Sequence, residues 1–246
     1  MNTRQYYITE NLNYFGQLVL TNQNFSIVKI GDGEIDCMQN KAGGNIDFHP
    51  YSDKLGGELR KSLIQLSNKG TFICDWFYSN PPINSRDDGN LQFYNRFIKD
   101  NELNLNYVRP FELLMLGWGN LELPNLFNFY RIIKNSNRNK IYVGPERISG
   151  VKDLLNINCF IQIPLINAFT SYDSILENIQ KNIVDDSIIM LSVGLQSSVI
   201  ANALLDFNNN ITILDIGSGF DPLYYAQTRG KPQATVEEAK RYFEKL

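Results

Sequence analysis

The stretch KIYVGPERISGVKDLLNINCFIQIP, Lys140 to Pro164, decides the fold. An apolar run (KIYVGP) gives way to an amphipathic segment (ERISGVKDLLN) that reads as a helix, and then to a second apolar run (CFIQIP). The same rhythm continues downstream. SYDSILENIQKNI reads as a helix, SIIMLSVG as a strand, QSSVIANALLDF as a helix and ITILDIG as a final strand. Strands that are apolar along their whole length have both faces covered, and strands alternating with amphipathic helices form parallel sheets. The expected fold is a Rossmann-like α/β domain, a mostly parallel sheet with helices on both faces.

Upstream, Phe25 to Ile30 and Thr71 to Trp76 read as strands, with a weaker strand at Leu105 to Val108. Ile8, Leu12, Phe15 and Val19 recur at helical spacing. Ser52 is placed to cap a helix carrying Leu55, Leu59, Leu63 and Leu66, with Gly70 at its end. Further helices are expected at Leu91 to Lys99 and Pro124 to Lys134, and a last one opening at Thr235 with Glu238 in a capping box. Asn80 to Asn90 reads as a loop from its Pro, Asn, Asp and Gly content, while Phe111 to Leu116 is ambiguous. With no internal repeat and no Gly-, Ser- or Pro-rich linker, residues 1–246 read as a single domain.

Composition removes several function classes. The net charge of −3 argues against a general nucleic-acid coat, which needs a basic surface to displace counterions. No apolar run approaches the ~20 residues of a membrane span. The opening MNTRQYYITENLNYFGQ has no continuous apolar core of the kind a secretory signal carries. Three scattered cysteines, Cys37, Cys74 and Cys159, fit a reduced, cytoplasmic protein. A single histidine, His49, rules out a multi-histidine zinc site.

Ligands of open α/β sheets bind at the carboxyl ends of the strands, so the strand-end residues become site candidates. The first strand ends in Gly31-Asp32-Gly33-Glu34. In an extended segment Asp32 and Glu34 point to one side, and two hard oxygen donors there suit Mg²⁺ or Mn²⁺. The alternative is that Asp32 caps a turn and Glu34 faces solvent. Gly194-Leu195-Gln196-Ser197-Ser198 forms a strand-to-helix turn able to hold a phosphate, or one simply capped by Ser197. Asp215-Ile216-Gly217-Ser218-Gly219-Phe220-Asp221-Pro222 closes the last strand. The glycines at these ends let the backbone turn and a ligand approach closely. His49 is a candidate base, or a hydrogen-bonded loop histidine. Arg229 and Lys231 are candidate phosphate contacts, or a solvated loop. Trp76, Tyr78 and Trp118 are able to stack on a sugar or base, or to pack in the core.

The ordered set GDGE, IYVGPERISGV, IPLINAFTSYDSILENI, SVGLQSSVIANALL and LDIGSGFDPL resembles the GT-D fold glycosyltransferases over most of Phe25 to Tyr224. That resemblance implies a metal-dependent glycosyltransferase using a nucleotide-sugar, a UDP-sugar first among them. Asp32 and Glu34 would be the D-x-E pair that holds Mn²⁺ or Mg²⁺ against the donor diphosphate. The turns at Gly194 to Ser198 and Asp215 to Asp221 would build the donor pocket. His49, Asp221 and Glu34 stand as candidate bases. The acceptor stays open among a glycan, a glycoprotein and modified DNA. LDIGSG also resembles the first motif of S-adenosylmethionine methyltransferases, although here it falls late in the chain and Pro222 interrupts the helix that should follow. A non-catalytic nucleotide-sugar-binding module is the third reading.

Overall fold

The apolar runs pair side by side. In a computed structural model that describes residues 11–41, 45–46, 49–75, 85–108, 123–224, 237, 240–241 and 243–246, strands β1 (Ser26–Ile30), β4 (Phe72–Asp75), β5 (Asn106–Val108), β6 (Lys140–Pro145), β7 (Cys159–Ile163), β8 (Ile188–Leu191) and β9 (Thr212–Asp215) form one seven-stranded sheet in the order β5-β4-β1-β9-β8-β6-β7. Every pairing in it is parallel. All residues of β1, β6, β8 and β9 are buried, as a parallel sheet covered on both faces requires. A two-residue hairpin, β2 (Asn45–Ile46) against β3 (His49–Pro50), stands apart from the sheet.

Helices α2 (Asp32–Met38), α3 (Asp53–Asn68), α4 (Ser85–Asp100), α7 (Tyr172–Asn182) and α8 (Ser197–Phe207) cover one face. Helices α1 (Asn11–Leu20), α5 (Leu123–Asn135), α6 (Val151–Leu154) and the segment through α9 (Asp221–Tyr224) cover the other. The helix of the four leucines forms as expected. Ser52 Oγ accepts a hydrogen bond from Leu55 N at 3.1 Å, and Leu55, Leu59, Leu63 and Leu66 are all buried. Burying each such side chain contributes about 1.5–3 kcal/mol relative to leaving it exposed. On α1, Leu12, Phe15 and Val19 face the core, and on α5 Leu126, Phe129, Tyr130 and Ile133 do the same.

Several expectations need correction. Residues 85–90, read as loop, are the first turns of α4, because Asp88 and Asn90 suit a helix start as well as a turn. ERISGVKDLLN is a 3-10 turn (Glu146–Ile148) followed by the short α6, and the ring of Tyr224 packs against Gly150 at the break. Pro222 does not interrupt a helix but occupies the first turn of α9, where its missing N–H costs nothing. Ile8, Trp76, Tyr78, Trp118, Thr235, Glu238, Phe111 to Leu116, and Arg229 and Lys231 lie outside the described residues.

All strands being parallel, their carboxyl ends meet at one edge of the sheet. The chain leaves β1 onto the α2–α3 face, where Ile35 and Met38 are buried, and leaves β9 onto the opposite face, where Ile216 and Phe220 are buried. That divergence between adjacent strands opens the crevice in which open α/β sheets bind ligands.

Helix α2 lies close on α3 because Gly56 has no side chain. A Cβ there would overlap the Cys37 carbonyl oxygen and sit 2.8 Å from Asn40 Oδ1, whereas a Cβ on Gly57 meets nothing within 4 Å. Gly56→Ala is expected to lose about 1–3 kcal/mol by forcing the helices apart. Gly57→Ala is expected to gain up to about 1 kcal/mol from helix propensity. Urea unfolding midpoints of the pair read the difference.

Candidate functional site

Lys29 interrupts the apolar β1 strand, yet only 5% of its side chain is exposed. Its Nζ lies 3.7 Å from Asp215 Oδ1 at the end of β9, and its backbone N donates to Asp215 Oδ2 at 3.0 Å. Gly217, with φ +54, makes room for this ammonium, which a Cβ there would overlap. The Ser197 hydroxyl faces two acceptors, the Asp215 carboxylate and the Gly194 carbonyl oxygen at 3.1 Å. Ser197 is thus the first residue of α8 rather than its cap, and no side chain caps that helix. Burial pushes the Asp215 carboxyl up, opposed by Lys29 and by the hydrogen bonds it accepts.

The acidic pair is not extended. Asp32 and Glu34 are the first and third residues of α2, so their side chains leave the helix about 200° apart instead of on one side. The Glu34 carboxylate folds back to accept from Gly31 N at 2.9 Å, one half of a capping box. That fold-back leaves it facing charge of its own sign. Its carboxyl is pushed up from 4.5 to about 7, chiefly by burial, then by Asp215 and Asp32, against the pull of the Glu34 and Gly31 backbone N–H groups. Glu34 is therefore not a solvated surface acid. Gly31 and Gly33 are both buried at this turn.

A second charged set flanks the first. Arg147, at the end of β6, donates from Nη2 to Asp221 Oδ2 at 2.7 Å. Its charge, after burial, lowers the pKa of His49, leaving a neutral imidazole at neutral pH. The His49 ring lies on Gly194, whose φ is +67 and whose Cβ would come 2.6 Å from His49 Cδ2. Gly194 thus joins the sets, through its carbonyl to Ser197 and through its Cα to His49. Below them Tyr142 Oη and Ser192 Oγ share a buried hydrogen bond of 2.6 Å. Gln196 is 1% exposed, and among the described residues neither its Oε1 nor its Nε2 has a partner; Ser198 Oγ and Ser218 Oγ are buried without one there as well.

The structure therefore gathers Ser197, Asp215 and Gly217 around Lys29, sets Glu34, folded back on Gly31, within reach of the Asp215 charge, and groups His49, Gly194 and Asp221 around Arg147. Lys29 was missed in the sequence reading, and Arg147, within the strand-end stretch Gly144-Pro145-Glu146-Arg147, was given no role there. The signal for Lys29 was a lone lysine inside an apolar strand. For Arg147 it was a basic residue two positions past the end of a strand.

No protein-family model matches the chain, and no curated protein does. Solved structures do match. One is described as showing that the domain of unknown function 1792 has a distinct glycosyltransferase fold, with TM-score 0.57, 20% identity, and coverage of 93% of this chain and 87% of that one. A selenomethionine-substituted structure of the same domain gives TM-score 0.60 at 22% identity over the same shares. A third, called a new glycosyltransferase from Streptococcus sanguinis, gives TM-score 0.61 at 17% identity, covering 96% and 92%. The chain has this glycosyltransferase fold. Within that fold, the charged sets described above occupy the carboxyl ends of the sheet's central strands.

The raised Glu34 carboxyl makes stability depend on pH. The folded chain holds this proton more tightly than the unfolded one, so the contribution is full below pH 4.5 and is lost as pH rises through about 7. Glu34→Gln keeps the capping geometry and removes the proton. In chelator, the variant is expected to gain on the wild type between about pH 5 and about pH 8, by up to about 3 kcal/mol. Urea titrations at the two pH values measure it. An unchanged difference would place Glu34 in solvent.

Proposed function

We propose that this chain is a glycosyltransferase that moves a sugar from a nucleotide-sugar, a UDP-sugar first among them, to an acceptor hydroxyl. One observation carries the reading: a glycosyltransferase fold in which the first central strand leads into a carboxyl, Glu34, that burial first, and then the charges of Asp215 and Asp32, push up to about 7. A site that forces a carboxylate to take up a proton is a site that welcomes a cation.

Asp32 and Glu34 would hold a divalent cation, Mn²⁺ or Mg²⁺, on that ground: although they leave α2 about 200° apart, the Asp32 charge is close enough to act on the Glu34 carboxyl. Among the described residues no three His, Cys, Asp or Glu side chains converge to hold a metal by themselves. The pair would leave the remaining ligand positions to water and the donor diphosphate, the ordinary habit of Mg²⁺. When bound, the cation neutralises the leaving diphosphate. Lys29 holds Asp215 and the turn after it in place, so that the Ile216–Ser218 backbone stays at the crevice. The unpartnered amide of Gln196 and hydroxyl of Ser218 supply further polar contacts to the donor. His49, neutral and beside Gly194, takes the acceptor proton. Asp221 is committed to Arg147 and is the weaker base. Arg147 adds positive charge near the phosphates. The free cysteines fit a reducing compartment, and we place the enzyme in the cytoplasm.

Two outcomes separate this reading from its rivals. Melting temperature is expected to rise with one UDP-sugar in Mn²⁺ but not in chelator, and not with S-adenosylmethionine. A shift with S-adenosylmethionine alone would make the chain a methyltransferase. Asp32→Ala is expected to cut transfer at least about a hundredfold with the fold intact by circular dichroism. A fully active variant would remove the metal role, and donor binding without any transfer by the wild type would leave a binding module.

A further inference from the structure

At the opposite edge of the sheet, where the strands begin, a groove of about 750 Å³ runs between the ends of α1 and α5 and the segments entering β6 and β8. Arg138 lies in its wall, only 7% exposed. Its guanidinium is pinned on two sides. Nε donates to the Asp186 carbonyl oxygen at 2.6 Å, and Nη2 donates to Thr212 Oγ1 at 2.8 Å and to Asn24 Oδ1. Nη1 is buried and has no partner among the described residues. Such an unmet donor is costly unless something else accepts from it.

The rim carries more unmet hydrogen-bonding groups. Asn22, Asn135 and Asn137 line the groove and are exposed, and no side-chain hydrogen bond engages any of them among the described residues. Each amide offers two donors and an acceptor. Beside them stand two exposed apolar side chains, Leu20 (58% exposed) and Val184 (57% exposed). The charges in the lining cancel, Arg131 and Arg138 against Asp185 and Asp186. A groove with no net charge gives no advantage to a phosphate. It suits a ligand that is neutral, donates and accepts through many hydroxyls, and has apolar C–H faces.

We propose that this groove binds a neutral saccharide. Its role rests on the transferase reading, which it deepens by naming the acceptor as a glycan or a molecule bearing one, gripped here while its reactive hydroxyl is presented at the other edge of the sheet. The binding itself does not depend on that reading.

The test uses the whole chain and saturation-transfer NMR with maltotriose, cellotriose and the trimer of N-acetylglucosamine, and inorganic phosphate as the anionic arm. At least one trisaccharide is expected to bind with a dissociation constant of about a millimolar. The double variant Asn135→Ala/Asn137→Ala, at exposed positions, is expected to weaken it about tenfold, the loss of two modest hydrogen bonds. The UDP-sugar thermal shift of that variant is expected to match the wild type, so failure at one edge of the sheet is read separately from failure at the other. Absence of binding by all the trisaccharides, binding that the double variant leaves unchanged, or binding of phosphate in their place would each overturn the proposal.

Discussion

The contact between Lys29 and Asp215 is the constraint on which the rest of the site depends. It buries a cation and an anion between the central strands β1 and β9, with 5% and 4% of the side chains exposed. Charges taken out of water are costly, and deleting one partner of a buried pair typically costs about 3–5 kcal/mol because the other is left uncompensated. The fold accommodates the pair at specific positions. Gly217 leaves space for the ammonium, the Lys29 backbone N–H satisfies the second carboxylate oxygen, and the Ser197 hydroxyl approaches from α8. Asp215 is then committed to Lys29, and its charge acts on Glu34 across the crevice. Burial pushes both carboxyls up, but only Asp215 has Lys29 to oppose the shift.

The same logic links the two glycines with left-handed backbones. Gly194 and Gly217 are the places where the chain must turn and where another side chain comes to rest on the Cα, His49 on one and Lys29 on the other. A strand-end glycine read as room for a ligand is here also room for an imidazole or an ammonium from a distant segment. The LDIGSG run therefore has a packing reason for its first glycine, independent of any nucleotide.

The fold was largely legible because it rests on local signals. Unbroken apolar runs such as Ile188 to Leu191 require cover on both faces, and Ser52 followed by leucines at helical spacing has one good reading. The site was half legible. The rule of strand carboxyl ends pointed to Glu34, His49, Gly194, Ser197 and Asp215, and the structure brings them together. The local conformation at Asp32 to Glu34 was misread because the stretch was taken to continue the extended strand, whereas Glu34 closing back on Gly31 starts a helix there. The pairing of Arg147 with Asp221 spans 74 residues, and that of Lys29 with Asp215 spans 186. Sequence periodicity carries no information about partners so far apart. The groove at Arg138 escaped for the same reason, since its walls come from three separate stretches of chain.

The most direct measurement is the paramagnetic broadening that Mn²⁺ produces in the amide spectrum of isotopically labelled protein saturated with UDP. Broadening that begins at Gly31 to Ile35 and Asp215 to Ser218, and that Asp32→Asn abolishes, is the expected result. Broadening centred anywhere else, or none with UDP bound, would contradict the assignment of the acidic crevice between β1 and β9 as the place where cation and donor diphosphate meet.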